Sequence, residues 1–354
     1  MNHLSNTASN MSDENVRALN DVLDSYNVKA VCVSASRMDS FDLFYVKILR
    51  GCRIRDLESV SRELQLLLRL DSLPIFIPDP STGYIKMVSA KGTKKILSLN
   101  KILKGKNQSM DCQVGIDVFG KVVSMDLRKA PHLLVAGATG SGKSVFLNVL
   151  IANILAMGNK ATLLLADPKY VEFEPYSKRI LIDNEYRWVV KKLNQLKEIM
   201  ETRFKAMGKV GCRNIEEFNK LSSYKDFTYI FYIIDEVADL VSKDKSNEFK
   251  NALCDLAAKS RAAGIHLIIA TQRPSVNVIN GVIKANFPAR VVFKTSSSID
   301  SRVIIDQIGA ENLLSRGDGM ISGYEGLGIV RFKSAYIAPV DALKYEDKKY
   351  PRLS

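Results

Sequence analysis

The string GATGSGKS, Gly137 to Ser144, sets glycines, a lysine and a hydroxyl in the order G-x-x-x-x-G-K-[ST]. Glycines let the chain turn tightly, so that backbone N–H groups wrap phosphate oxygens. The string follows an apolar run, His132–Ala136, and opens a helical pattern. The start of that helix adds partial positive charge. In this arrangement Lys143 reaches the β- and γ-phosphates and the Ser144 hydroxyl ligates Mg²⁺. Gly137, Ala138, Thr139, Gly140, Ser141, Gly142 and Val145 complete the cradle, and ATP with Mg²⁺ is the expected ligand pair.

Two further strings fit the same chemistry. YIFYIIDE, Tyr229 to Glu236, is an apolar strand ending in two acids. Asp235 is expected to hold Mg²⁺ through water, and Glu236 to orient or deprotonate an attacking water. The paired acids favour hydrolysis over phosphate transfer to a small molecule. LIIATQRP, Leu267 to Pro274, puts Gln272 just past an inner strand, where it can sense the γ-phosphate through the lytic water. Together the three strings place nucleotide chemistry at the carboxyl ends of parallel strands.

Those strands must be positioned by a sheet. His132–Ala136, Ala161–Ala166, Tyr229–Ile234, His266–Ala270 and Arg290–Phe293 are short, dense apolar runs suited to strands buried on both faces. Ser144–Met157, Glu185–Ala206 and Asn247–Ala262 read as the helices between them. The expected class is α/β, with a mainly parallel sheet over 93–340. A small α+β domain is expected over 18–92, with strands at Lys29–Val33, Leu43–Leu49, Pro74–Ile77 and Tyr84–Val88 and a helix at Ile54–Leu68. Residues 1–17, rich in Asn and Ser, are expected to be disordered. Lys91–Asn107 reads as a lysine-rich connector and 341–354 as a basic tail.

The 354 residues carry a formal charge of +13, which suits a polyanionic partner such as nucleic acid; an anionic membrane or simple solubility accounts for it too. The five cysteines are scattered without a CxxC pair, against a zinc or redox motif and in keeping with a reducing cytoplasm. No apolar run approaches the roughly 20 residues that span a bilayer, so no membrane partner is expected.

Longer strings extend the pattern. PHLLVAGATGSGKSV (Pro131–Val145), ADPK (Ala166–Lys169), YIIDEVADLV (Tyr232–Val241), RAAGIHLIIATQRPSVNVINGVIKANFPARV (Arg261–Val291) and SSIDSRVIIDQIGAENLL (Ser297–Leu314) closely resemble the motor domain of the FtsK/SpoIIIE family of DNA translocases. The resemblance runs from about Thr93 to Ile337, and Val28–Ala90 looks like the small domain that precedes that motor. It implies a RecA-like P-loop NTPase core, ATP-driven movement on double-stranded DNA, and a homohexameric ring. Arg261 matches the arginine that reaches a neighbouring subunit's ATP, where it would stabilise charge on the γ-phosphoryl oxygens. Arg273, Lys284 and Arg302 match channel positions that touch DNA phosphates. Ser298 departs from the family's usual lysine, and Lys294 can substitute for it.

The resemblance also implies a membrane segment before the motor and a winged helix after it, and neither is expected here. The expectation is a free-standing motor or a truncated piece of a longer one, with a partner protein as a candidate for setting direction or loading. The rival within the class is a packaging or conjugative transfer motor, or a helicase-like motor working with a nuclease. A DNA-binding scaffold with a vestigial ATPase conflicts with the intact Gly142–Lys143–Ser144 and Asp235–Glu236.

Overall fold

In the computed structural model, residues 9–10, 13–38, 40–91, 96–103, 110–221, 226–314, 316–326 and 328–346 are described. Period-two burial builds the first sheet. Strands β1 (Ser9–Asn10), β2 (Ala30–Arg37), β3 (Phe41–Ile48), β4 (Ile75–Asp79) and β5 (Tyr84–Ala90) pair antiparallel in the order β1-β2-β3-β5-β4. Helices α1 (Asp13–Ser25), α2 (Ile54–Ser59) and α3 (Ser61–Leu67) join it, burying Leu19, Leu23, Leu57 and Leu64 against Phe44, Val46 and Met87. The expected single helix over Ile54–Leu68 is two, meeting at Val60.

α1 corrects the expectation of disorder over 1–17. Asp13 and Glu14 lie in its first turn, where carboxylates suit the helix dipole, and Val16, Leu19, Val22 and Leu23 fall on one helical face. Residues 1–8 and 11–12 lie outside the described residues. So do 92–95 and 104–109 of the expected connector and 347–354 of the expected tail. Between them, α4 (Leu99–Ile102) packs into the second core, and at the other end Ala342 is buried.

The second sheet has ten strands in the order β10-β9-β11-β12-β8-β13-β14-β15-β6-β7. Its strands are β6 (Asp111–Asp117), β7 (Val122–Asp126), β8 (His132–Ala136), β9 (Ala161–Ala166), β10 (Ile182–Asp183), β11 (Tyr229–Ile234), β12 (Ile265–Thr271), β13 (Ala289–Phe293), β14 (Asp318–Ser322) and β15 (Val330–Ser334). From β10 to β13 every neighbour is parallel; from β13 to β7 every neighbour is antiparallel. Helices α5 (Lys143–Ala156), α6 (Tyr186–Lys209), α7 (Ile215–Phe218), α8 (Val237–Lys243), α9 (Glu248–Lys259), α10 (Gly281–Asn286), α11 (Ser298–Ile305) and α12 (Pro339–Ala342) complete the chain. One core forms on each face: α5 packs on one with Phe146, Leu150 and Ile154, and α6 and α9 on the other with Leu193, Leu196 and Leu253.

A side-chain amide stitches each sheet to a helix. β6 carries a bulge between Gln113 and Gly115. Asn153 of α5, fully buried, accepts from Gln113 N–H at 2.9 Å and donates to Gln113 C=O at 3.1 Å. In the small sheet Asn20 of α1 makes the same pair of bonds with Cys32, beside the β2 bulge. The two sheets meet at Arg331 of β15, which is 1% exposed. Its guanidinium bonds Asp318 at 2.8 and 3.1 Å, donates to Val88 C=O at 2.8 Å and lies over the Phe41 ring.

Candidate active site

β8 lies between β12 and β13, so the loop leaving it is gripped from both sides. Gly137 N–H donates to Thr271 C=O and Ala138 N–H to Lys294 C=O at 2.8 Å. At Gly142 φ is +115°, and a Cβ there would stand 2.5 Å from the Gly317 nitrogen. A Cβ on Gly137 would stand 2.6 Å from the Ser141 Oγ. Both positions therefore require glycine, and Gly317 N–H closes the loop by donating to Ser141 C=O at 2.8 Å. α5 then starts at Lys143, with its free N–H groups facing the loop.

Lys143, Glu236 and Gln272 are each engaged at this end. Lys143, 3% exposed, bonds the Asp235 carboxylate at 2.5 Å. Burial pushes the Asp235 carboxyl above its ordinary value; the Lys143 ammonium opposes this, and Glu172 and Glu236 reinforce it. Glu236 is fully buried. It accepts from the Thr271 hydroxyl at 2.7 Å, from Gln272 N–H at 3.2 and 3.3 Å, and from Lys169 Nζ at 3.1 Å. Partial burial works against the charge on Lys169, but Glu236 outweighs it and holds the ammonium above its ordinary value. Gln272 Oε1 accepts from the Thr139 hydroxyl at 2.8 Å, so the glutamine touches the P-loop itself.

The expected site residues Lys143, Ser144, Asp235, Glu236 and Gln272 thus converge. Three that sequence reasoning left unassigned join them: Lys169, Glu172 and Thr271. Asp167 ties down the loop of Lys169 and Glu172, accepting N–H bonds from Lys169, Val171 and Phe173 at 3.2, 2.9 and 3.0 Å. The signal available for them was position, since polar residues directly after an inner strand face the strand ends. A cavity of about 450 Å³ opens over the loop, walled on its far side by Leu97, Lys333, Ala335 and Tyr336. That is the size of a small-ligand site. Mg²⁺ fits the residues present: Asp235 Oδ2 is buried without a hydrogen-bond partner among the described residues, and Ser144 supplies a hydroxyl on the cavity.

Arg261 stands elsewhere. It is exposed and precedes β12, whose other end bears Thr271. The length of that strand, roughly 20 Å, separates it from the P-loop of its own chain. It lines a separate cavity of about 560 Å³ with Arg128, Arg213 and Lys259. Arg273 is exposed at the exit of β12 and Arg302 is exposed on α11. Lys284 on α10 is ion-paired with Asp306, which also takes Arg290 at 2.6 Å. Lys284 is therefore less free than an exposed channel lysine is expected to be.

A family model described as FtsK/SpoIIIE family matches residues 99–276, half of the chain. The chain belongs to the FtsK/SpoIIIE family. Among its relatives, the DNA translocase FtsK of Streptococcus pneumoniae is 37% identical over 347 residues, covering 93% of this chain and 45% of the relative. The DNA translocase SftA of Bacillus subtilis is 36% identical over 328 residues, covering 86% and 34%. The chain thus spans less than half the length of either. Among solved structures, the pCW3 conjugation coupling protein TcpA, in a monomer form with ATPγS, superposes with TM-score 0.67 at 25% identity over 94% of this chain and 99% of that one. The cytoplasmic domain of the secretion ATPase EccC from Thermomonospora curvata, at 20% identity and TM-score 0.59, shares the fold. Among the described residues no helix is long and apolar enough to cross a membrane.

Proposed function

We propose that this chain is the ATP-hydrolysing motor of a double-stranded DNA translocase, working as a homohexameric ring in the cytoplasm. The observation that carries this is the separation of Arg261 from the P-loop: the two lie at opposite ends of the same parallel strands. An arginine that completes the site must come from a second copy, and a head-to-tail repeat of that contact closes a ring. The charge of +13 and the family's translocases support DNA as the track.

In the hydrolytic step Lys143 leaves Asp235 for the β- and γ-phosphates, and the P-loop amides hold the remaining oxygens. Glu236, fixed by Thr271 and the Gln272 amide, frees one oxygen to accept a proton from the attacking water. Gln272 orients that water, and Arg261 of the adjoining copy meets the charge on the γ-phosphoryl group. Ser144 and Asp235 would hold Mg²⁺, which when bound neutralises charge on the phosphate oxygens. Closure around ATP would move the segments bearing Arg273, Lys284 and Arg302 along the duplex backbone. The extent of the TcpA match supports a second reading, a motor for conjugative DNA transfer with the same chemistry.

ATP turnover measured with and without duplex DNA tests this. Stimulation of at least about tenfold is expected, corresponding to about 1.4 kcal/mol of barrier, and loss of all turnover in Lys143→Ala. Turnover indifferent to DNA would overturn the translocase reading.

A further inference from the structure

We propose that Glu172 is a positioning residue for the divalent cation that accompanies the nucleotide, acting through Ser144; this rests on the nucleotide reading above. Ser144 has one hydroxyl hydrogen, and it goes to Glu172 Oε1 at 2.7 Å. A hydroxyl whose hydrogen is committed in one direction presents its lone pairs in the others, and a lone pair is what a cation takes. Asp235, the acid expected at the cation, does not hold Ser144, since its Oδ1 is occupied by Lys143. Its Oδ2, in a fully buried side chain, has no partner among the described residues. A hydroxyl held by one carboxylate, and a second carboxylate with an unpaired buried oxygen joined to the adjacent Lys143, supply the oxygen ligands a divalent cation takes.

The loop that carries Glu172 is built to hold it there. Asp167 fixes the backbone on both sides through the Val171 and Phe173 N–H groups. Phe173 is 1% exposed and packs edge-on to Tyr176, whose hydroxyl donates to Asn148 of α5 at 2.9 Å. The carboxylate is thus referenced to the same helix that begins with Lys143 and Ser144. Lys169, on the same loop, sits on Glu236. One segment therefore braces both the cation side and the water side of the site.

The test is a titration with trinitrophenyl-ATP, whose fluorescence reports binding without turnover, against Mg²⁺ and in EDTA. Groups that orient a metal's ligands typically set affinity by about 10- to 100-fold. In Glu172→Ala the Mg²⁺ concentration for half-maximal binding is expected to rise about tenfold or more, while affinity in EDTA stays at the wild-type level. Glu172→Gln keeps an acceptor for Ser144 and should show a smaller rise; it carries the test if the alanine variant does not fold. Mn²⁺ bound with nucleotide, counted by electron paramagnetic resonance, should fall in parallel. An unchanged Mg²⁺ midpoint in both variants would overturn the proposal. So would an equal loss of affinity with and without Mg²⁺, which marks a merely structural role. Wild-type protein that binds the probe no better than Lys143→Ala would overturn the nucleotide reading itself, a result distinct from either.

Discussion

At the scale of single residues, Glu236 is defined by its neighbours. A fully buried carboxylate needs its charge answered and its oxygens bonded, and Thr271, Lys169 and the Gln272 amide do both. Glu236→Gln should bind ATP yet turn over at least about 100-fold more slowly, the loss typical of a removed general base. Thr271→Val, which removes one fixed bond and keeps the volume, should lower kcat by about tenfold with KM unchanged, consistent with about 1.4 kcal/mol. Steady-state kinetics check both, and a KM effect in place of a kcat effect would reassign Thr271. The cations proposed to face DNA differ in a way the sequence hides. Arg302 is exposed without a side-chain partner among the described residues, whereas Lys284 is held by Asp306. Arg302→Ala should reduce the slope of log affinity against log salt by about 0.9. Lys284→Ala should reduce it less, because its ammonium must first leave Asp306. Equal slopes for wild type and Arg302→Ala would move the DNA contact elsewhere.

At the scale of elements, the parallel strands were legible because their apolar runs are short, dense and bounded by polar turns, as at Tyr229–Ile234. The antiparallel half was not. β6 and β7 lack a regular alternation of burial, and their place beside β15 depends on pairing Asp117 with Phe332, more than two hundred residues away. No local pattern encodes that. α1 was hidden by its Asn- and Asp-rich surface, and the Glu172 loop by the absence of any period. The bulge in β6 shows what holds the halves together. Asn153→Leu strips partners from both backbone groups of Gln113 in a buried setting and should cost about 3 kcal/mol, measured by denaturant unfolding. A cost near zero would mean the bulge relaxes.

Two strands also carry a pH dependence. His132 of β8 and His266 of β12 are 1% and 2% exposed, and burial lowers them from 6.5 to about 3 and about 4. Each is neutral in the fold, His132 accepting from Leu267 N–H at 3.0 Å. Depressed folded-state values mean that the unfolded chain binds more protons below the ordinary histidine range. Stability should be flat above about pH 7 and fall as pH drops from 6.5 toward 4, by at most about 2 kcal/mol per histidine at pH 5. Thermal melts across that range check this, and His132→Gln should flatten the decline. A Tm that holds to pH 4.5 would contradict it.

At the scale of the molecule, the P-loop and Arg261 define two ends, and the proposed function has the ends of different copies meet. Arg261→Ala and Lys143→Ala should each be inactive alone. Mixed under subunit exchange they should regain part of the wild-type turnover, because some junctions then join an intact Lys143 to an intact Arg261. Complete absence of rescue would place Arg261 in a role within its own chain. The pairing was legible only as a resemblance. The residues themselves showed a basic turn before a strand, and the sheet had to be seen before its distance from the nucleotide became a fact.

β15 carries Lys333 and Arg331 one strand repeat apart, about 7 Å on the same face. Lys333 lines the nucleotide cavity and donates to Arg316 C=O at 2.9 Å, next to the Gly317 that holds Ser141. Arg331 grips Val88 of the small sheet. Between the triphosphate cradle and the small sheet there are thus the Gly317–Ser141 peptide hydrogen bond, the Lys333 side chain on Arg316 C=O, one step of extended chain and one guanidinium. A shift of the cradle is expected to arrive at Val88 almost undamped. On the proposed function, the two sheets are expected to move together when the site closes on ATP.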